Sequence, residues 1–179
     1  MPVLENRVDP ASAVYRANVE ASLEQLAGLG EQLALAREGG GTRYVERHRA
    51  RGKLLARERI ELLLDRDSPF LELSPLAAWG TEYTVGAGVV TGIGVIEGVE
   101  CVVMANDPTV RGGSINPYTG RRIGRATDIA RANRLPLVYL VESGGADLPT
   151  QAEIFIPGGR HFRDLTQLSA AGCPTRSTR

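Results

Sequence analysis

The chain has 179 residues, with 21 Lys and Arg against 21 Asp and Glu, and 42% of its residues are hydrophobic. This length suits one medium domain, or a piece of a larger protein, with a real core. The net charge of zero argues against a nucleic-acid binder, since such proteins carry excess cations to neutralise phosphates. No apolar run approaches the roughly 20 residues of a membrane helix, and two cysteines cannot build a disulfide framework. We therefore expect a soluble, cytoplasmic protein with neither a membrane nor a nucleic-acid partner.

The first third of the chain has the pattern of helices. Apolar residues recur at a helical period across residues 12–37, and the glycines 39–41 end that helix. A second helical stretch is predicted over residues 42–64, where the turn-forming segment 65–69 closes it.

The middle of the chain changes to the pattern of strands. A short strand is predicted at 70–73, and β-branched runs at 89–96 and 100–105 indicate a hairpin that turns at Glu97, Gly98 and Val99. A glycine-rich loop then covers residues 111–117.

The remaining elements alternate between helix and strand. A helix is predicted over 119–133, a nearly continuous apolar strand over 135–141 and a helix over 161–171. This order predicts an α/β fold with right-handed crossovers. An apolar strand is expected after Gly172, but residues 173–179 are short, polar and basic. Two interpretations of this tail stay open: an ordinary disordered terminus, or an aberrant end.

The most informative segment follows the apolar strand. Gly144, Gly145 and Ala146 come directly after its end, and residues this small let a ligand approach the backbone. Amides at the start of a helix carry a positive partial charge, which suits an anionic oxygen in an oxyanion hole. Tight packing of a strand–helix turn explains the same pattern equally well.

A second glycine turn, formed by Gly112, Gly113 and Ser114, follows the preceding strand. The carboxyl ends of neighbouring strands are where α/β folds place ligands. The two turns together therefore predict a binding site.

The segment 47–59 is rich in basic residues. Such a cluster is usually a solvated helix face. The functional alternative is a contact for a polyphosphate, such as the ADP part of coenzyme A. The two interpretations are compatible if the solvated residues and the phosphate contacts lie on different faces of the helix. The cluster consists of Arg47, Arg49, Arg51, Lys53, Arg57 and Arg59.

Other candidates are weaker. The glycines at 86, 88, 92 and 94 lack the spacing of a dinucleotide fingerprint and indicate bulges in strands. The isolated His48 and His161 form neither a zinc site nor a triad, so we expect no bound metal. Cys101 lies in mid-strand and is expected in the core.

Three segments carry a family resemblance. Residues 52–60 (Gly-Lys-Leu-Leu-Ala-Arg-Glu-Arg-Ile), Ala105-Asn106-Asp107 with Gly112-Gly113, and residues 139–146 (Tyr-Leu-Val-Glu-Ser-Gly-Gly-Ala) occur in this order. With them the chain resembles the carboxyltransferase (beta) subunit of biotin-dependent acyl-CoA carboxylases, from about residue 23 to residue 172. The segment around Leu148-Pro149 and Gln151-Ala152 resembles the 3-methylcrotonyl-CoA type. Asp147 departs from that type, which leaves related branched or geranyl substrates open.

The resemblance implies a crotonase-like fold of ββα units and a definite chemistry. The biotin cofactor is carried by a biotin carboxylase/biotin-carrier alpha subunit, and the carboxyl group passes from carboxybiotin to a deprotonated acyl-CoA. Catalytic backbone groups are implied at Gly144, Gly145 and Ala146. Substrate-binding residues are implied at Gly112, Gly113, Ser114, Lys53 and Arg57. The full-length parent is expected to be a homo-oligomer.

The resemblance also predicts that the fold is incomplete. In this family a further glycine-rich turn and a second, biotin-binding domain follow. We therefore expect an N-terminal helical segment at 1–41, a partial carboxyltransferase domain at 42–172 and an aberrant or disordered tail at 173–179, as a frameshift near residue 172 would produce. Such a fragment is expected to be poorly soluble and inactive alone. The alternative is a truncated, non-catalytic protein that binds acyl-CoA or a carboxylase subunit. A crotonase-type hydratase is disfavoured, because its paired acidic residues cannot be located.

Overall fold

The structure, a computed structural model, describes residue 6 and residues 8–178. Parts of the predicted segments 1–41 and 173–179, namely residues 1–5, 7 and 179, lie outside the described residues. None of the described helices combines the length and the hydropathy needed to cross a membrane.

Helix α1 spans Ala13–Glu38, as the apolar period predicts. The side chain of Ser12 caps its first turn by accepting a hydrogen bond from the backbone N–H of Tyr15. Most of its apolar side chains are exposed, Leu23 by 60% for example, and Ala36 is the buried residue of the helix.

The predicted helix 42–64 is two helices, α2 at Thr42–Arg49 and α3 at Ala56–Leu63. The chain turns between them at Gly52, whose φ of +72° lies outside the helical region. The Glu58 carboxylate then caps α3 by accepting from the Leu55 backbone N–H at 2.7 Å. The prediction of one continuous helix was wrong because the signals for this turn and cap were missed.

The sheet has five strands in the order β1-β2-β3-β4-β5, and their bounds are Leu71–Glu72, Val89–Ile96, Val99–Asn106, Leu137–Leu140 and Thr175–Thr178. The first three strands pair antiparallel, and β3-β4 and β4-β5 pair parallel. The predicted hairpin is confirmed: Glu97 and Gly98 turn with positive φ between β2 and β3. The Asp65 carboxylate accepts hydrogen bonds from both turn amides at 2.7 Å.

Helices cover the sheet on both faces. Alternate residues of β3 point to opposite sides, so Val102 and Met104 pack with α4 (Pro117–Asn133) and α5 (Gln151–Ala170). Cys101, Val103 and Ala105 pack on the other side, toward α3. Burial on both faces explains why β3 is apolar almost throughout.

Two differences from the prediction lie near the C-terminal end of the described chain. Helix α5 begins at Gln151, ten residues before the predicted 161, and continues through Pro157 and two glycines that suggest a break. Thr175–Thr178 form β5, so the disordered alternative for the tail does not hold for these residues, and the alternative of an aberrant end stays a prediction. Backbone hydrogen bonds hold these exposed residues, such as that from Val141 N–H to the Thr178 carbonyl oxygen at 2.8 Å. The domain boundaries themselves stay predictions.

Candidate functional site

The two glycine turns lie against each other at the carboxyl ends of β3 and β4. The Gly144 N–H donates to the Gly112 carbonyl oxygen at 2.9 Å. A parallel bridge between Ile115 and Ala146 continues the contact. The structure therefore brings together the two loops that the sequence singled out.

Glycine is required in the first loop for steric reasons. Gly112 and Gly113 have φ of +66° and +71°, which residues with a side chain rarely adopt. A Cβ at Gly113 would also collide with the carbonyl oxygen of Glu142 in the other loop. Close approach of the two backbones thus depends on Gly113.

Asn106, at the end of β3, links both loops from below and is fully buried. Its side-chain amide donates to the Gly113 carbonyl oxygen at 3.4 Å, and its side-chain oxygen accepts from the Glu142 N–H at 3.3 Å. Asn106 was not among the predicted site residues, although it lies within a motif of the family resemblance.

The three predicted backbone donors differ in their surroundings. The Gly144 N–H is used by Gly112, and the Gly145 N–H donates to the Ser143 hydroxyl oxygen at 3.0 Å. Ala146 is exposed, and its own N–H makes neither hydrogen bond of the parallel bridge. The bridge is formed by the Gly145 carbonyl oxygen and the Asp147 N–H, which both bond to Ile115. The Ala146 N–H therefore points away from Ile115.

A cleft of about 340 Å³ opens beside these loops. Its loop wall consists of Gly112, Ser143 and Gly144, and its cationic wall consists of Arg47, His48, Arg51 and Lys53 from the α2–α3 region. Tyr44, Pro108, Thr109 and Glu142 complete its lining.

Glu142 ties the basic segment to the loops. Its carboxylate accepts from Lys53 Nζ at 2.5 Å, and Arg59 Nη1 lies 3.7 Å from its other oxygen. Lys53 is half exposed, so this ion pair is open to solvent on one side. Arg47 and Arg51 are left to set the positive charge of the cleft.

Five predicted site residues lie outside the cleft lining: the catalytic Gly145 and Ala146, and the substrate-binding Arg57, Gly113 and Ser114. Arg57 binds Glu72 at 2.9 Å and donates to the Ala36 carbonyl oxygen at 3.2 Å, so it ties α3 to β1 and to the end of α1. Gly113 is buried between the loops, and Ser114 is half buried with its N–H on the Arg111 carbonyl oxygen. Lys53 and Gly112 do line the cleft.

A second ion pair joins the loops near Ala146. Arg111 Nη1 donates to Asp147 Oδ2 at 2.8 Å. Asp147 of this ion pair also acts on Tyr83. The pKa of the Tyr83 phenol is raised mainly by burial and further by the charges of Glu82, Glu153 and Asp147. Neither Arg111 nor Asp147 was a predicted site residue, since their partnership spans the two loops and leaves no local pattern.

The other polar candidates have structural surroundings. His48 Nε2 lies 3.1 Å from the Leu54 carbonyl oxygen, and burial lowers the pKa of His161. Burial raises the pKa of the Cys101 thiol, which keeps it protonated in the core. Over residue 6 and residues 8–178, no three His, Cys, Asp or Glu side chains gather as metal ligands would.

Comparison with known proteins agrees on one family. A carboxyl transferase domain matches residues 47–178. The chain is 60% identical over 173 residues to a probable biotin-dependent acyl-coenzyme A carboxylase beta2 subunit of Mycobacterium tuberculosis, covering 97% of this chain and 33% of that protein. It is 48% identical over 178 residues to a probable methylcrotonoyl-CoA carboxylase beta chain of Drosophila melanogaster, covering 96% of this chain and 31% of that one.

Solved structures show the same fold. The beta subunit of geranyl-CoA carboxylase from P. aeruginosa superposes with a TM-score of 0.90 at 39% identity, over 98% of this chain and 34% of that chain. Transcarboxylase 12S, described as a hexamer, superposes with a TM-score of 0.73 at 32% identity, over 84% of this chain and 30% of that chain. This chain spans about a third of the length of these relatives. With its crotonase-like fold, it belongs to the carboxyl transferase domain family of biotin-dependent carboxylase beta subunits.

Proposed function

We propose that this chain is part of a subunit that transfers a carboxyl group from carboxybiotin to an acyl-CoA. The observation that carries the proposal is the junction of two glycine loops beside a cleft lined by cations. One side of this arrangement suits phosphates, and the other suits a polarised carbonyl oxygen.

The cationic wall would hold the phosphate-rich end of coenzyme A. Arg47 and Arg51 present guanidinium groups, whose paired donors match phosphate oxygens. Lys53 adds a third cation, although Glu142 competes for it at 2.5 Å. The proposal therefore gives the main contacts to the two arginines and a secondary contact to Lys53.

The glycine loops would hold the thioester at Ala146, two residues beyond Gly144 of the cleft lining. Of the three predicted donors, the Ala146 N–H faces away from its neighbouring loop, and Gly144 and Gly145 use their amides to shape the turn. A preorganised backbone donor stabilises the negative charge that develops on a thioester oxygen when the acyl group loses a proton. Such a donor typically contributes about 10²–10³-fold in rate.

Biotin would come from a partner alpha subunit, and when bound it supplies the activated carboxyl group. A cavity of about 10 Å³ beside Arg57 and Arg122 is too small for its ring, and the larger cleft is lined by basic residues and the glycine loops. This chain is therefore assigned no residue that holds biotin. Its own residues would bind and orient the acyl-CoA.

The substrate we propose is 3-methylcrotonyl-CoA or a related branched enoyl-CoA. Relatives named methylcrotonoyl- or methylcrotonyl-CoA carboxylase share 45–48% identity with this chain, and the geranyl-CoA carboxylase subunit superposes well. We place the complete assembly, a homo-oligomer with its alpha subunit, in the cytoplasm, where free thiols such as Cys101 and Cys173 persist.

A second candidate is a non-catalytic protein that binds acyl-CoA or a carboxylase subunit. It is favoured by the engagement of two of the three loop amides in hydrogen bonds within the chain. One remaining donor suffices to bind a carbonyl but makes a poor oxyanion hole, so we expect the chain to be inactive alone.

A chimaera tests the proposed function. Residues 8–178 would replace the matching third of the M. tuberculosis beta2 subunit, and the assembled enzyme would be assayed with methylcrotonyl-, geranyl- and propionyl-CoA. We expect carboxyl transfer, best with a branched enoyl-CoA, and an approximately tenfold higher KM in the Arg51→Gln variant from the lost phosphate contact. A folded, fully assembled chimaera without carboxyl transfer would support the non-catalytic candidate instead.

A further inference from the structure

The Arg111–Asp147 ion pair is a side-chain bridge between the two glycine loops. Its atoms lie 2.8 Å apart, and the Asp147 side chain is 11% exposed against 60% for Arg111. The carboxylate is therefore largely withdrawn from water, and the guanidinium covers it from the solvent side.

The backbone on both sides of this bridge is tightly constrained. Arg111 has a φ of +47°, a conformation that costs free energy for a residue with a side chain. Asp147 donates its N–H to the Ile115 carbonyl oxygen at 2.9 Å, and its own carbonyl oxygen accepts from the N–H and the hydroxyl of Thr150. The strained Arg111 is thus paired with Asp147, whose position is fixed by several hydrogen bonds.

Ala146 lies directly between the groups that this network holds. The preceding Gly145 carbonyl oxygen accepts from Ile115 N–H at 2.8 Å, and the following Asp147 N–H is also bound to Ile115. The direction of the Ala146 N–H is set by these two bonds. The ion pair adds a side-chain contact between the same two loops.

We propose that Arg111 and Asp147 are positioning residues, which orient the Ala146 N–H toward the thioester oxygen and neutralise the carboxylate beside it. This inference rests on the proposed function and adds two residues to it. Arg111 contributes more than Asp147 does. Without Arg111, the Asp147 carboxylate would lie one residue from the Ala146 N–H, where negative charge on the ligand is stabilised.

The electrostatic argument predicts an unequal pair of substitutions. Arg111→Gln leaves the Asp147 carboxylate without its cation, with the Thr150 hydroxyl at 3.4 Å as its remaining side-chain partner, and this charge opposes a partial negative charge on the ligand oxygen. Asp147→Asn removes the ion pair but also the negative charge that would repel the ligand oxygen. It should therefore weaken thioester binding less than Arg111→Gln does. The double variant should then recover part of what Arg111→Gln loses.

The test compares two ligands on the full chain by calorimetry. The probes are 3-methylcrotonyl-CoA and its thioether analogue, in which a CH₂ group replaces the carbonyl. We expect the unsubstituted chain to prefer the thioester about two- to tenfold, as one hydrogen bond provides. Arg111→Gln should abolish this preference, Asp147→Asn should reduce it, and Arg111→Lys should restore part of it. None of them should change the affinity for the thioether, whereas a general loss of fold would lower both affinities.

Arg125→Gln is the matched control, since it removes one exposed arginine from α4 and should leave both affinities unchanged. A chain that binds neither ligand would contradict the proposed function itself. Binding without a thioester preference, or a preference that survives in Arg111→Gln, would overturn the positioning role and leave acyl-CoA binding intact.

Discussion

At the scale of single residues, Gly113 marks the closest approach of the two loops. Its φ of +71° and the nearby Glu142 carbonyl oxygen leave no room for a side chain. We predict that Gly113→Ala lowers the free energy of unfolding by about 1–3 kcal/mol, because both the backbone and the neighbouring loop must shift. Urea denaturation of the chain measures this directly.

Gly120→Ala is the matched control for that substitution. Gly120 lies in α4, and an added Cβ there meets nothing within 4 Å. Alanine should therefore stabilise the helix by about 0.5–1 kcal/mol. Equal stability of Gly113→Ala and the unsubstituted chain would show that the loops are not held as close as described.

Arg122 shows how a charge is placed in the interior. Its side chain is 1% exposed, and it donates to Glu72 and to the carbonyl oxygens of Leu73 and Gly86. Burial lowers the pKa of this guanidinium, while its bonds to Glu72 act in the opposite direction. Glu72 also pairs with Arg57, so Arg57 belongs to this ion-pair network, and its contact with substrate stays a prediction.

At the scale of elements, α5 is joined to α4 by a cluster of ion pairs around Asp164. The side chain of Asp164 is 2% exposed and accepts from Arg160 and Arg163 of α5, and Arg131 Nη1 of α4 lies 3.7 Å from it. Burial alone would raise the pKa of this carboxyl, but the hydrogen bonds from Arg163 and Arg160 outweigh it and hold the pKa below the usual value of an aspartate. The carboxylate therefore stabilises the packing of α5.

The direction of this shift predicts a pH dependence. A carboxyl whose pKa is lower in the folded chain stabilises the fold above its unfolded pKa, near 4, and that contribution is lost as the pH falls toward the folded value. Asp164→Asn should thus weaken the chain at pH 7 and flatten its loss of stability below pH 4. Urea titrations at both pH values measure the difference. Asp67→Asn, at an exposed loop position, should leave the profile unchanged.

Local patterns predicted some elements well and others poorly. The hairpin and helices α1 and α4 follow from residue periods and turn residues within a few positions of one another. The split at Gly52, the early start of α5 and the strand β5 do not. β5 is made of exposed Thr, Arg and Ser, which give no apolar strand pattern. Pairing with β4 stabilises it, with register partners such as Leu137 and Thr175 38 residues apart in the chain.

At the scale of the whole molecule, α5 exposes a large apolar surface. Phe155, Ile156 and Phe162 are 83%, 84% and 74% exposed. A surface of this kind favours association. We predict concentration-dependent self-association of the chain, measured by light scattering after size exclusion, and its reduction when these three residues are changed together to Gln.

A single exposed leucine provides the comparison. Leu62 on α3 is 73% exposed, and isolated apolar residues are ordinary on protein surfaces. Leu62→Gln should leave association unchanged. A chain that stays monomeric at every concentration would contradict the prediction of self-association. Association that persists in the triple variant would contradict its assignment to the apolar surface of α5.

By itself, the sequence determined the α/β class, the hairpin, both glycine turns and the family resemblance, because each of these is written in short segments of the chain. Only the tertiary structure decided which loop amides stay available to a ligand, that Arg57 lies outside the cleft, and that Arg111 pairs with Asp147 across 36 residues. These are contacts between segments far apart in the chain. Their outcome depends on how the whole sheet brings two strand ends together, which no local pattern encodes.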